Sequence, residues 1–344
     1  MCGYRPVMDA DAPPRAPRVP AETGPHECTI VGWPTETRRA ALWGDALPDA
    51  RVEYAGVVRA IAAREPVWLV CDPADATSAR AELTGEPGVV VVELPIDDSW
   101  LRDSGPTIVV DADEQRRAVR FGFNAWGGKF APWDRDAEIA QRLAQRLGVT
   151  VHRAPLVLEG GALAHDGHGL FVTTERCALN PNRNPGATRA HIERVLHDYL
   201  GAERVVWLAD AIVEDVGTDG HVDNVVAFPA PGRALLQGCD DRSNPNHAIA
   251  AANRATLEAA GIEVVEVPVL PYVTVRGRSV PVPAVNLYPV RDAVIVPVAG
   301  HPSDDDALAR IATGYPGREV VPVAATYLAL GGGGVHCITQ QVPA

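Results

Sequence analysis

The strongest constraint on this chain is a supersecondary plan that recurs five times. "DRDAEIAQRLAQRLG" carries apolar residues at helical spacing and stops at Gly148, "VTVHRAPLVL" reads as a strand, and "GALAHDGHGLFVTT" reads as two strands about the turn Asp166-Gly167. The same order returns in "TRAHIERVLHDYLG", "RVVWLA", the loop "DAIVEDVGTDGH" and the hairpin-like "VDNVVAFPAPGRALLQG". A third unit comprises "NHAIAAANRATLEAAG", "IEVVEVPV" and "VNLYPVRDAVIVPV"; a fourth begins with "DDALARIATGYPG" and "EVVPVAA" and runs into "GGGGVHCIT". An earlier unit runs from "ATSARAELTG" through "VVVVELP" and "DDSWLRD" to "TIVVDADEQRRAVRFGF". A plain parallel sheet alternates strand and helix with no hairpin, so a hairpin in every unit argues against it. The expected fold is α/β, with five units closed into a five-bladed α/β propeller; an open α/β sheet is the competing architecture. The last unit holds one hairpin strand only, and "CTIVGWP" near the N-terminus is expected to complete it.

Residues 26–344 contain no linker-like stretch and are expected to form a single domain. Residues 1–25, rich in Pro and Arg and lacking the apolar stretch of a signal peptide, read as a disordered tail. No apolar run approaches the ~18 residues that would cross a bilayer, so a cytoplasmic protein is expected. A formal charge of −13 argues against nucleic acid and anionic membrane as partners and suits a cationic substrate. The plainer role of that charge, keeping the chain soluble, is the stronger of the two. The six cysteines (Cys2, Cys28, Cys71, Cys177, Cys239, Cys337) show no C-x-x-C spacing, so neither a zinc ribbon nor a disulfide framework is indicated.

Residues able to do chemistry collect where the first strand of a unit ends and its hairpin begins. Those loops are "DDSWLRD", "LEGG", "GHVDN" and, in the last unit, "HC". Each has a bland reading: Cys337 as inert core, Asp97, Asp98 and Asp103 as solvated loop residues, His221 with Asp223 as a carboxylate-capped structural His or a metal pair. Glu159 ends an apolar strand, where a carboxylate is costly unless a cation pairs with it. Converging in one pocket, these residues make a nucleophile, a general acid/base and a set of carboxylates matched to a planar cation such as a guanidinium. The four glycines before Cys337 let backbone approach such a flat group.

"DDSWLRDSGPT", "FNAWGGK", "LEGGAL", "TTERCALNPNRNP", "GTDGHVDN" and "GGGGVHCITQQ" occur in an order and spacing that closely resemble the agmatine deiminase family and the related bacterial peptidyl-arginine deiminases. The resemblance runs from about residue 26 onward. It implies the pentein-like five-bladed propeller of the guanidino-group-modifying superfamily and deimination without a cofactor. It makes Cys337 the nucleophile, His221 the general acid/base, and Asp103 and Asp223 the guanidinium-binding carboxylates. Glu159 would contact the guanidinium or position His221. Trp100 would line the substrate slot. The glycine run, Gly334 included, is then expected to form the pocket floor, and Trp126 and Lys129 read equally as rim residues or as an aromatic packing at a loop and a surface lysine. Agmatine would yield N-carbamoylputrescine and ammonia, a step of polyamine metabolism.

Recognition of a distal ammonium would fall to "EDVGTDGHVDN", which offers Glu214, Asp215 and Asp219, with Gly217 at a position where a carboxylate is expected. Agmatine leads, and other guanidino compounds remain open. The rivals are an amidinotransferase of the same superfamily, a non-catalytic guanidine-binding protein, and a metal-dependent hydrolase using His221, Asp223, His165 and His168. A homodimer through sheet edges or propeller faces is compatible with the sequence.

Overall fold

A computed structural model of the chain describes residues 9–344. Five sheets are built on one plan, an antiparallel hairpin whose second strand leads through a helix to a third, parallel strand. In the first, Thr107–Val110 pairs antiparallel with Arg116–Gly122, and helix Asp136–Leu147 carries the chain to Thr150–Val157, parallel to the latter. Ala164–His165, Leu170–Thr174 and Arg204–Leu208 repeat this around helix Arg189–Leu200. Val226–Ala230, Arg233–Gln237 and Glu263–Val267 do so around helix Pro245–Ala259. Tyr288–Val290, Ala293–Val298 and Glu319–Ala324 follow, around helix Asp304–Gly314.

The fifth sheet joins the two ends of the chain. Thr339–Pro343 pairs antiparallel with His26–Gly32, which leads through helix Leu47–Ala62 to the parallel strand Val67–Cys71 and then to Val89–Glu93. The expected completion of the last unit by the N-terminal strand is therefore present.

Sheet membership differs from the sequence reading by half a unit. Each post-helix strand pairs back with the hairpin before it, because a crossover returns the chain to the strand it has just left. The chemistry-bearing loops consequently lie where the chain passes from one sheet to the next. Helix Leu47–Ala62, strand Val67–Cys71 and a two-stranded hairpin, Tyr272–Val275 with Arg278–Pro281, were not anticipated.

The helices follow their apolar spacing. Ile139, Ala140, Leu143 and Ala144 are buried on one face of Asp136–Leu147, and Gly148 ends that helix in the left-handed region at φ 69. Burial of Ile139 and Leu143 contributes roughly 1.5–3 kcal/mol each before chain entropy is counted. Helix Leu47–Ala62 buries Tyr54 against Trp33, Trp43 and Trp100, and this aromatic cluster also contains Cys337. Core and candidate site are thus continuous.

The reading of residues 1–25 as a disordered tail is corrected over residues 9–25; residues 1–8 lie outside the described residues. Asp9–Ala10 adds a parallel strand beside Val151 and His152, Arg18 bridges to Val110, and Val19 is buried. Composition suggested disorder because Pro-rich sequence forms little regular structure by itself; here a preformed sheet edge supplies the hydrogen-bond partners. Among the described residues no helix is long and apolar enough to cross a membrane.

Candidate active site

Three glycines bring the Cys337 loop against its neighbours. A Cβ on Gly333 would lie 2.5 Å from the Trp100 ring and 3.1 Å from Cys337 Cβ, and one on Gly331 would lie 2.4 Å from Trp43. Gly332 adopts φ +97, a region that side chains avoid. The run is a close-approach device, as its composition suggested, and it ends in a short 3₁₀ turn, His336–Ile338, that presents Cys337.

Cys337 lines a cavity of about 410 Å³, together with Trp100, Asp103, Trp126, His221 and Gly331 to Gly333. That volume is in the range of small-molecule sites. Four of the predicted residues therefore meet as expected: Asp103 from the first inter-sheet loop, His221 and Asp223 from the third, and Cys337 from the last. Asp223 lies just beneath the cavity, its Oδ2 3.4 Å from Cys337 Sγ and 2.9 Å from His336 Nδ1. Its Oδ1 is buried with no partner among the described residues. Asp103 accepts from Trp126 Nε1 and from the Gly161 amide, each at 2.9 Å, and its Oδ1 is 3.6 Å from His221 Nδ1. Trp126 is aimed at Asp103 from a strained backbone, with φ positive at Ala125 and Trp126.

Glu159 is fully buried and does not line the cavity. Arg183 Nε donates to its Oε1 at 2.9 Å, and its Oε2 is 3.7 Å from His221 Nε2. Of the two expectations for Glu159, the geometry supports holding His221. Gly334 is likewise not part of the cavity wall: a Cβ there would lie 2.5 Å from Asn286 Oδ1, so this glycine serves packing against Asn286. Lys129 does not form the rim itself. Its Nζ donates to the carbonyls of Val216 (2.7 Å) and Gly217 (3.1 Å) and pairs with Asp219, clamping the loop at the mouth. Asp97 and Asp98 are buried, not solvated; Asp98 pairs with Arg38 at 2.8 Å, and Asp97 accepts from the Arg135 amide.

Burial and neighbouring charges shift each of these groups in a definite direction. Burial lowers the basicity of His221, but Asp103, Cys177 and Glu159 outweigh it and raise its pKa well above the usual value. Burial, then Asp223 and Asp103, push the Cys337 thiol well up, against the Gly334 backbone and Asn286, which favour thiolate. Asp103 is raised to about 6 by burial, Asp223 and Glu159, against His221 and Trp126. Burial would also raise Asp223, but His336 and His221 bring it below the usual carboxylate range. The free site thus favours a protonated His221 and a Cys337 thiol, with Asp103 beside His221 and Asp223 beside His336.

Several participants escaped the sequence reading. Asn286, fully buried, donates from Nδ2 to Cys337 Sγ at 3.2 Å. It occupies the loop of the one unit that appeared to contribute nothing, and that gap was the available signal. Gly161 stands where three functional groups meet: a Cβ there would lie 2.6 Å from His221 Nδ1, 2.7 Å from Asp103 Oδ1 and 2.9 Å from Asp223 Oδ2. Nothing local marks Arg183 or Cys177 as neighbours of Glu159 and His221.

The metal-ligand set of His221, Asp223, His165 and His168 does not assemble. His168 is exposed, and His165 borders a small void with Glu22, Asp223 and His336. The group with metal-like spacing among the described residues is Glu159, Cys177 and His221, whose Glu159 is already engaged by Arg183.

A buried thiol, an imidazolium and paired carboxylates on this mixed α/β fold define a class, the guanidino-group hydrolases. The fold is that of dimethylarginine dimethylaminohydrolase from Pseudomonas aeruginosa, with a TM-score of 0.55 at 19% identity over 92% of this chain and 99% of the other. The Porphyromonas-type peptidyl-arginine deiminase family matches residues 18–343, and the chain belongs to that family. An agmatine deiminase of Pseudomonas aeruginosa (strain LESB58) is 38% identical over 361 residues, 95% of each chain. The solved structure of the agmatine deiminase of Enterococcus faecalis superposes with a TM-score of 0.92 at 30% identity, over 98% of this chain and 99% of the other.

Proposed function

We propose that this chain hydrolyses agmatine to N-carbamoylputrescine and ammonia, in a single domain over residues 26–344 whose five sheets close as a five-bladed α/β propeller. The observation that carries the reading is the meeting of Asp103, His221, Asp223 and Cys337, drawn from three separate loops, around one cavity. The relatives named above support the substrate.

Asp103 and Asp223 Oδ1 hold the guanidinium with its carbon facing Sγ, an orientation worth several kcal/mol of barrier. Entry of the cation offsets the carboxylates that keep Cys337 protonated, so its proton leaves to solvent and the thiolate forms only beside substrate. Sulfur attacks the guanidinium carbon; His221, already an imidazolium, gives its proton to the departing nitrogen, and ammonia leaves an S-alkylthiouronium. Neutral His221 then takes a proton from water and the hydroxide adds to the same carbon; as the C–S bond breaks, the hydroxyl proton passes to the departing sulfur, which releases the neutral ureido product and restores the Cys337 thiol and the His221 imidazolium. Glu159, anchored by Arg183, keeps His221 oriented through both halves.

Glu214 is the residue best placed for the distal ammonium. It lines the cavity, and its carboxylate is held by two neutral donors, Tyr272 Oη at 2.8 Å and Asn246 Nδ2 at 2.9 Å, which leave its charge uncompensated. Asp215 is occupied by Thr218, the His221 amide and Asn224, and Asp219 by Arg183, Lys129 and Asn182. The exposed guanidinium of Arg278, also on the cavity wall, favours a second reading, a guanidino compound with a distal carboxylate.

The test is ammonia release from a panel of guanidino compounds, beside Cys337→Ser. Turnover of agmatine that is lost in the variant is expected. Turnover of a carboxylated compound but not agmatine would select the second reading, and a requirement for an amine acceptor would select an amidinotransferase.

A further inference from the structure

The strap from Asp9 to Pro25 belongs to none of the five units, yet it reaches the site from below. It is fixed at Asp9–Ala10 beside Val151, at Arg18 opposite Val110, and at Thr23, whose carbonyl accepts from Arg318. Between the last two anchors the Glu22 side chain turns inward. It accepts from Arg102 Nη1 at 3.0 Å and from His336 Nε2 at 3.1 and 3.2 Å. Arg102 precedes Asp103 and His336 precedes Cys337, so one carboxylate joins the loops of a substrate-holding residue and of the nucleophile.

His336 carries the connection further, since its Nδ1 donates to Asp223 Oδ2 at 2.9 Å. Both ring nitrogens therefore face carboxylates. A neutral imidazole has one N–H and would set a lone pair against one of them; only the imidazolium satisfies both. The groups that face His336 are Glu22, Asp223 and Arg102, with His165 and its neighbour Asp166 beyond. Of these Glu22 and Asp223 favour the cation, while Arg102 and burial oppose it.

We propose that Glu22 is a positioning residue for the reaction: it holds His336 as a cation whose second N–H pins Asp223 Oδ2 and leaves Asp223 Oδ1 free for the guanidinium. The inference rests on the reading that Asp223 binds that group. Without Glu22, His336 loses its proton as pH rises, and the neutral ring no longer fixes Asp223 on the side of the nucleophile.

Glu22→Gln keeps the shape and removes the charge. Relative to the unaltered protein at the same pH, its kcat/KM is expected to be about tenfold to a hundredfold lower near pH 8.5, mainly through KM, and the deficit is expected to close toward pH 6 as His336 regains its proton. In a His336→Gln background the same substitution is expected to change kcat/KM by no more than about twofold. No loss, a loss equal at all pH values, or full additivity with His336→Gln would overturn the proposal. Should Glu22→Gln not fold, His336→Gln, which keeps the Glu22–Arg102 pair, is expected to raise KM at both pH values, and an unchanged KM would overturn it. Failure of the unaltered protein to release ammonia from agmatine counts instead against the substrate reading. The comparison is then made by equilibrium binding of methylguanidinium to the Cys337→Ser protein with and without Glu22→Gln, and the same pH-dependent weakening decides it.

Discussion

Neutralising Asp223 should move two properties of Cys337 in opposite directions. Asp223 Oδ2 lies 3.4 Å from Sγ in a buried site. At an effective dielectric of about 20, two unit charges at that separation interact by about 5 kcal/mol. Water entering beside the substituted residue removes much of this, but a third of it is still more than about tenfold in the thiolate population at a given pH. Asp223→Asn is therefore expected to speed alkylation of Cys337 by neutral iodoacetamide at least about tenfold near pH 8, while turnover of agmatine falls by orders of magnitude because the guanidinium loses a partner. The assay is peptide-level mass spectrometry over a pH series, which separates Cys337 from the other cysteines. The midpoint of the alkylation profile must move to lower pH, since a higher plateau alone would mean only easier access. An unchanged or higher midpoint would refute the idea that substrate charge, and not the free site, makes the thiolate.

Three further substitutions and one change of pH test the same geometry. Gly161→Ala places a methyl within 2.9 Å of His221, Asp103 and Asp223, so kcat/KM should drop more than about a hundredfold with the far-ultraviolet circular dichroism unchanged; near-normal turnover would mean that these groups have room to move. Arg183→Met strips the cation from fully buried Glu159 and should cost about 3–5 kcal/mol of stability in urea titrations, well above the roughly 0.5 kcal/mol of an exposed pair such as Arg254–Glu258. Asp103, raised to about 6, must be ionised to hold a cation, so kcat/KM should fall as pH drops through about 6. Trp126→Phe removes a hydrogen bond that favours the ionised form and should shift that acid limb to higher pH; a shift to lower pH would contradict the assignment.

How much of this was legible depended on whether the signal was local. The helix "DRDAEIAQRLAQRLG" announces itself because its buried residues recur with the turn of the helix, and Gly148 ends it for a reason that holds in any context. The terminal glycine run likewise declared a close approach, although not to which neighbours. Sheet membership was less accessible: strand Thr150–Val157 lies nearer in sequence to the hairpin that follows it than to the one before, and only the crossover geometry makes it pair backward. Glu159 shows the same limit within the site. Its cost in an apolar strand was predictable, but its partner, Arg183, lies 24 residues away, beyond the strands Ala164–His165 and Leu170–Thr174 and the short helix Glu175–Ala178.

The sequence by itself determined the repeated plan and the types of group available, a thiol, an imidazole and carboxylates at equivalent loop positions, because periodicity and side-chain chemistry are properties of neighbours along the chain. Tertiary structure alone decided what those groups are. Burial, Asp223 and Asp103 push the Cys337 thiol up; Asp103, Cys177 and Glu159, against burial, raise His221; and Glu22, in a segment that composition marked as disordered, is brought beneath Cys337 by a sheet edge more than a hundred residues away. Charge states depend on distance in space and on exclusion of water, and neither is set until the chain has folded.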